Sequence, residues 1–216
     1  DKTRPRFAQT ASGLMPDWDE DSDQLLESLK KAYRLSRDNA RQRVVPDVGQ
    51  ARQWHSMIMD GLSVPDKQHV ANFRGERGLE GCEVHVGAHA GTLSALVSDE
   101  LEKFERTMQR TVDALDNLIP QGDCPKDSDQ LNAVIELCAW AHAEWVRIHP
   151  FANGNGRTAR LWAGFIAMRY GLPPFVRLRP RPDGGYGAAC VKAMEGDWAP
   201  TAQVFRRMYL DAIRPE

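Results

Sequence analysis

Apolar residues along this chain recur mostly at helical spacing, and the pattern begins at Asp23. Leu25, Leu26, Leu29, Ala32 and Tyr33 fall at i, i+3, i+4, i+7 positions and predict a first helix that Pro46 ends. A second helix follows around Val48 to Met59 and stops at "DGLSVP". The period then breaks: residues 72–92, "NFRGERGLEGCEVHVGAHAGT", are rich in glycine and contain one short alternation, Cys82-Glu83-Val84-His85-Val86. That stretch predicts a small β-hairpin, a flap spanning about 72–95. Helical spacing returns with Ser98 as its candidate cap and Leu101, Phe104, Met108, Val112, Leu115 and Leu118 as its apolar positions.

The helix expected over 128–148 has apolar residues on more than one face and belongs at the centre of a bundle. A second central helix, over 157–170, carries Leu161, Trp162, Phe165 and Ile166. Two more helices are expected around 186–194 and 200–213, Pro200 being tolerable in a first turn. Residues 1–22 are polar, have no period, and read as an arm. The expected fold is therefore mainly α: one helical domain over 23–216 with a hairpin flap.

Charge narrows the function classes. Lys+Arg 28 against Asp+Glu 30 gives a net charge of -2, so no general field draws the chain to nucleic acid or to an anionic membrane. Neither is an expected partner, and no apolar run approaches the roughly 18 residues of a membrane span. The four cysteines are widely separated, form no CxxC pair, and fit thiols in a reducing cytoplasm, bacterial or host.

The chemistry concentrates between the two central helices, in "HPFANGNGRTAR" at 149–160. Pro150 forces the residue before it out of the α region, so His149 is presented at a helix end. The "NGNG" run, 153–156, supplies backbone that reaches positive φ and approaches a ligand closely. Its amides lead into a helix N-terminus, a natural anion site. Arg157 and Arg160 add two guanidinium groups there against the helix dipole, which predicts a bound polyphosphate. "GNGRTA" matches a dinucleotide fingerprint, but a helix precedes it where that motif needs a strand. No Lys follows Gly156, which excludes a Walker loop. Cys82, His85 and His89 have metal-like spacing but no fourth ligand near them in sequence, so the flap reading is preferred. His142 reads as a core histidine, and Trp145 and Trp162 as core.

The 149–160 stretch closely resembles the signature of the Fic family, HPFx(D/E)GNGRxxR, matching eight of its nine defined positions. "FRGERGLEGCEVHVG" and "YGAACVKAMEGDWAPTAQVF" extend the resemblance over about 50–210. The resemblance implies a helical Fic core that transfers AMP from ATP to a Ser, Thr or Tyr hydroxyl of a target protein. His149 would be the general base and Phe151 the loop's anchor. Asn155 with the Gly154 and Gly156 backbone would form the anion hole, and Arg157 and Arg160 would bind the β- and γ-phosphates. Tyr186 would approach the adenine, and Val84, His85 and Val86 would pair with a target segment. Gly156 stands where Doc-type kinases have Lys, which favours nucleotidyl transfer.

The departure is Asn153, at the family's Mg2+-binding Asp or Glu. It is the candidate metal position here, but an amide brings no charge, so Mg2+ is expected to be held mostly by the nucleotide. A different phosphorylated donor, or a catalytically weak binding module, is the alternative. The family's inhibitory pattern (S/T)xxxE(G/N) is incomplete: Ser98-x-x-x-Glu102 is followed by Lys103, and Ser56-x-x-x-Asp60 ends in Asp. That implies control by a separate small antitoxin or inhibitor protein, with Arg160 as its contact.

Overall fold

A computed structural model describes residues 22–214; the expected arm over 1–22 lies, but for Ser22, outside them. Among the described residues seven α-helices and one hairpin follow in order. Helix α1 (Asp23–Arg41) starts at Ser22, whose side chain caps the Leu25 N–H, and α2 (Val48–Met59) starts at Asp47, which caps Gln50. These caps satisfy donors that the helix itself cannot. The first helix stops short of Pro46. Arg43 turns left-handed at φ 54, and its guanidinium bonds Asp116 at 2.6 Å and lies over the Tyr170 ring, so a tertiary contact ends the helix before the proline does.

The hairpin pairs β1 (His85–Val86) with β2 (His89–Ala90), His85 opposite Ala90 and Val86 opposite His89. Gly87, at φ 61, supplies the positive φ that such tight two-residue turns require. A 3-10 turn, Ser94–Leu96, then runs into α3 (Val97–Leu118). Ser98 is therefore inside the first turn and not its cap. Leu96 holds that position without a side-chain bond, and the acids Asp99 and Glu100 favour the helix's positive end instead.

Helix α4 (Ser128–Ile148) is capped by Asp127 and packs most closely against α5 (Asn155–Arg169), with α6 (Tyr186–Met194) and α7 (Ala199–Ala212) on its other side. Helix α4 is buried on more than one face, as its sequence predicts, and α5 is buried along nearly its whole length. Between them Trp54, Phe104, Trp145, Trp162 and Phe165 form a continuous aromatic core, for example Trp54 edge-on to Trp162 at 4.8 Å. Each such pair contributes about 0.5–1.5 kcal/mol beyond its burial. One further bond crosses this core: the Trp145 indole N–H donates to Thr158 Oγ1 at 2.8 Å, fixing the end of α4 against the start of α5. The loop between those two ends is thus tethered on both sides.

Candidate active site

Pro150 stops α4, and His149 closes it in the left-handed region at φ 53, ψ 56. That conformation costs a non-glycine residue about 1–2 kcal/mol, so other contacts must hold it. The His149 N–H donates to Trp145 O at 3.0 Å, and its carbonyl accepts from Arg74 Nε at 2.7 Å. The ring Nδ1 lies 3.0 Å from Val146 O, which requires the proton on Nδ1. Nε2 is then the nitrogen able to accept one.

The next residues are braced from α2. Phe151 is fully buried and stacks on the His55 ring at 3.9 Å. The Ala71 N–H donates to His55 Nδ1 at 2.9 Å, so the ring proton sits on Nε2 and points to Asn153 O at 3.1 Å. Burial lowers the pKa of His55 to about 3; the Asn153 carbonyl opposes that shift and the Arg157 charge adds to it. This histidine is a neutral structural brace. Asn155 closes the turn with its own side chain: Oδ1 accepts the Phe151 N–H at 2.9 Å and Nδ2 donates to Phe151 O at 2.8 Å. The Asn155 side chain thus shapes the loop from within.

Gly154, at φ 75, turns the chain into α5, and a Cβ there would lie 2.6 Å from Met59 Cε. The first helical bonds are Arg157 N–H and Thr158 N–H to Gly154 O, so the Asn155 and Gly156 N–H groups precede the ladder. Arg157 and Arg160 follow, both buried. Arg157 Nη2 donates to Asn153 Oδ1 at 3.1 Å, and that oxygen also accepts the Gly154 N–H at 2.5 Å. Arg160 Nε bonds Leu178 O at 3.2 Å and its Nη1 reaches the Tyr186 hydroxyl at 3.4 Å. Tyr186 in turn contacts His142 Nε2 at 2.7 Å. Two buried cations stand beside the positive end of a helix, an arrangement suited to a multiply charged phosphate chain.

A family model described as Fic/DOC family matches residues 46–167, more than half of the chain. The chain belongs to this family. Among its relatives, the protein adenylyltransferase Fic of Nematostella vectensis is 35% identical over 129 residues, 55% of this chain and 29% of that protein. The protein adenylyltransferase fic-1 of Caenorhabditis elegans is 55% identical over 42 residues, 19% of this chain and 8% of that one. The chain thus spans less than a third of the length of these curated relatives. In fold it is similar to BepC of Bartonella tribocorum, solved with bound AMPPNP, at a TM-score of 0.59 and 17% identity over 91% of this chain and 95% of that one.

Within this Fic chain the structure brings His149, Asn153, Gly154, Asn155, Gly156, Arg157 and Arg160 into one turn and helix start. Tyr186 joins them from α6, but it is buried, and its hydroxyl is directed at His142 and Arg160. Val84 is half-buried at the base of the hairpin, where its carbonyl accepts the Gly91 N–H, while His85 and Val86 are exposed at the tip. Cys82, His85 and His89 assemble no metal site: among the described residues no group of three or more His, Cys, Asp or Glu is arranged to hold an ion. All four cysteines are thiols.

Two contributors were not singled out from sequence. His55 lies on the apolar stripe of α2 beside Trp54 and Ile58, and its place in that stripe was the available signal. Arg74 is fully buried in the glycine-rich loop, and nothing local marks it, since most of its partners are carbonyls distant in sequence.

Proposed function

We propose that this Fic chain is a protein adenylyltransferase that moves AMP from ATP to a Ser, Thr or Tyr hydroxyl of a target protein. The observation that carries the reading is His149 with Nδ1 committed to Val146 O, standing one tight turn before a helix start that holds Arg157 and Arg160. His149 Nε2 takes the proton of the target hydroxyl. The oxygen forms a bond to the α-phosphorus as the bond to the bridging oxygen breaks, and pyrophosphate leaves. The Asn155 and Gly156 N–H groups face the developing charge, and Arg157 and Arg160 hold the β- and γ-phosphates. The names of the curated relatives and the AMPPNP bound in BepC support this reading.

Magnesium does not fit as a protein-held ion here. The one candidate ligand, Asn153 Oδ1, already accepts from Gly154 and Arg157 and carries no charge. In our reading Mg2+ arrives with the nucleotide, and no step depends on a protein ligand to it. The exposed hairpin tip, His85 and Val86, receives an extended segment of the target by strand addition. Regulation by a separate inhibitor acting at Arg160, and a cytoplasmic location consistent with four thiols, complete the proposal. The neutral Asn153 favours a second reading, a Fic-fold binding module without transfer activity.

Incubating the protein and its His149→Ala variant with a cell lysate and ATP labelled at the α-phosphate separates these. Label on a protein band that disappears with His149→Ala is the expected result. Silence with both proteins, repeated with UTP, GTP and γ-labelled ATP, would replace the enzyme with the binding module.

A further inference from the structure

Arg74 reaches the site from outside the signature. Its guanidinium is fully buried, and each of its five N–H donors has an oxygen within reach. Nε donates to His149 O at 2.7 Å. Nη1 donates to Cys82 O at 3.1 Å and to Glu83 Oε2 at 3.3 Å. Nη2 donates to Thr92 O at 2.6 Å and to Ile148 O at 3.0 Å. The Arg74 N–H itself donates to Pro150 O at 2.8 Å. Three consecutive carbonyls, 148 to 150, are thus held by one residue that also holds the two ends of the hairpin segment.

We infer that Arg74 is a positioning residue that joins the hairpin and His149 into one rigid unit, so that a target strand laid on the hairpin presents its hydroxyl to the His149 ring. Three observations carry this. The two carbonyls on the hairpin side, Cys82 and Thr92, flank β1 and β2, so the guanidinium clamps the hairpin at its base and not at its tip. On the other side the carbonyls of Ile148 and His149 are the end of α4, where orphan acceptors and the negative end of the dipole favour a cation. Finally, Gly91 lies against both: a Cβ there would be 2.9 Å from His149 Cβ, 3.1 Å from Arg74 Nη2 and 3.1 Å from Val84 Cγ2. The hairpin and the histidine are in contact with the clamp between them.

Only arginine fits the role. A lysine has three donors on a single nitrogen and reaches one side of the clamp at a time. Glu83 holds the arrangement from the hairpin side, since its carboxylate bonds Arg74 and also the Ser94 N–H and hydroxyl where the hairpin segment ends. A buried cation solvated by carbonyl dipoles and one partly exposed carboxylate is costly, and its placement between hairpin and base gives it a function beyond packing.

The inference rests on the proposed function in its kinetic arm only; its structural arm needs no activity. Arg74→Lys, and separately Gly91→Ala, which wedges the same contact while keeping Arg74, are compared with the parent protein. Amide hydrogen exchange is expected to quicken together in 82–94 and 148–151 and to stay unchanged in α1 and α3. In the labelling assay kcat is expected to fall about 10- to 100-fold, the cost of displacing a base by about an ångström, with KM for ATP within about twofold. Exchange that quickens across the whole chain, in only one of the two segments, or in neither overturns the coupling. Paired quickening with kcat unchanged overturns the positioning role. Should the parent protein transfer no label to anything, the proposed function fails, and the exchange arm still decides whether Arg74 joins the two segments.

Discussion

Two buried histidines make stability fall steeply on mild acidification. His55 and His142 are fully buried, and burial lowers each from the ordinary 6.5 to about 3, with Arg157 adding to the shift at His55 and Arg160 and Arg181 at His142. For His55 the geometry also explains the resistance, because a second proton would have to sit on Nδ1, which already faces the Ala71 N–H. The folded values lie below the unfolded value. The unfolded chain therefore binds the extra protons, and stability rises with pH across the window from about 3 to 6.5. Each histidine approaches a slope of about 1.4 kcal/mol per pH unit once pH is well below 6.5, so the pair removes about 3 kcal/mol between pH 6.5 and pH 5. That is a large part of the roughly 5–15 kcal/mol available to a domain. Glu76 and Asp116, whose pKa values are lowered, lose their contributions only as pH falls further, through the carboxylate range. Urea unfolding at steps from pH 7.5 to 5 reads the slope, and His142→Gln, which keeps an acceptor for the Tyr186 hydroxyl, isolates one histidine. The slope should drop by about 1.4 kcal/mol per pH unit in that variant. An unchanged slope would refute the assignment, whatever other groups titrate, because they are common to both proteins.

Three further outcomes follow from the site. Gly154→Ala forces a non-glycine residue to φ 75 with its Cβ 2.6 Å from Met59 Cε, and should lose about 1–2 kcal/mol of stability together with nucleotide binding; an unchanged urea midpoint would contradict the strain at that turn. Asn153→Asp should lower the Mg2+ concentration that gives half-maximal labelling, since it adds charge where only an amide oxygen stands; no gain at limiting Mg2+ would refute the reading that the missing carboxylate leaves Mg2+ to the nucleotide. Tyr186→Phe leaves His142 Nε2 without its partner and Arg160 without one of its two described contacts. It should cost about 1–3 kcal/mol in a thermal or urea melt and raise KM for ATP more than it lowers kcat.

Helical periodicity gave the seven helices to within a few residues wherever local pattern decides, and failed where a distant partner does. The end of α1 is one such place, because the contacts of Arg43 with Asp116 and Tyr170 act before Pro46. The start of α3 is another: the sequence offers Ser98 as a cap, but a 3-10 turn fixed by Glu83 and Ser94 delivers the chain directly into the helix. The candidate site was legible because its residues are contiguous and their chemistry is local. A proline after a histidine, glycines at a turn and arginines in a first helical turn each violate a default preference. What stayed hidden were the braces. His55 and Arg74 look like one polar residue in an apolar stripe and one arginine in a loop, and their meaning lies in backbone oxygens far along the chain. Asn155 was legible as part of the loop, and only the structure shows its amide bonded to both the N–H and the carbonyl of Phe151.

The distribution of buried polar groups ties these observations together. Burying a polar side chain is costly unless its bonds are made, so a domain with a sufficient apolar core has no stability reason to gather many in one place. Here His55, Arg74, Asn153, Asn155, Arg157, Thr158 and Arg160 are all buried and all lie in or against the turn between α4 and α5. Three elements hold that turn, each by a different handle: α2 through the Asn153 carbonyl, the loop before the hairpin through the carbonyls at 148 to 150, and α6 through the Tyr186 hydroxyl on Arg160. The first sets the backbone that opens the helix, the second sets His149, and the third sets Arg160. A single brace would fix the turn but leave these parts to move against one another. Three braces from separate elements fix their mutual distances, which is what the proposed transfer needs, since the hydroxyl oxygen beside His149, the α-phosphorus and the leaving phosphate chain must lie in line.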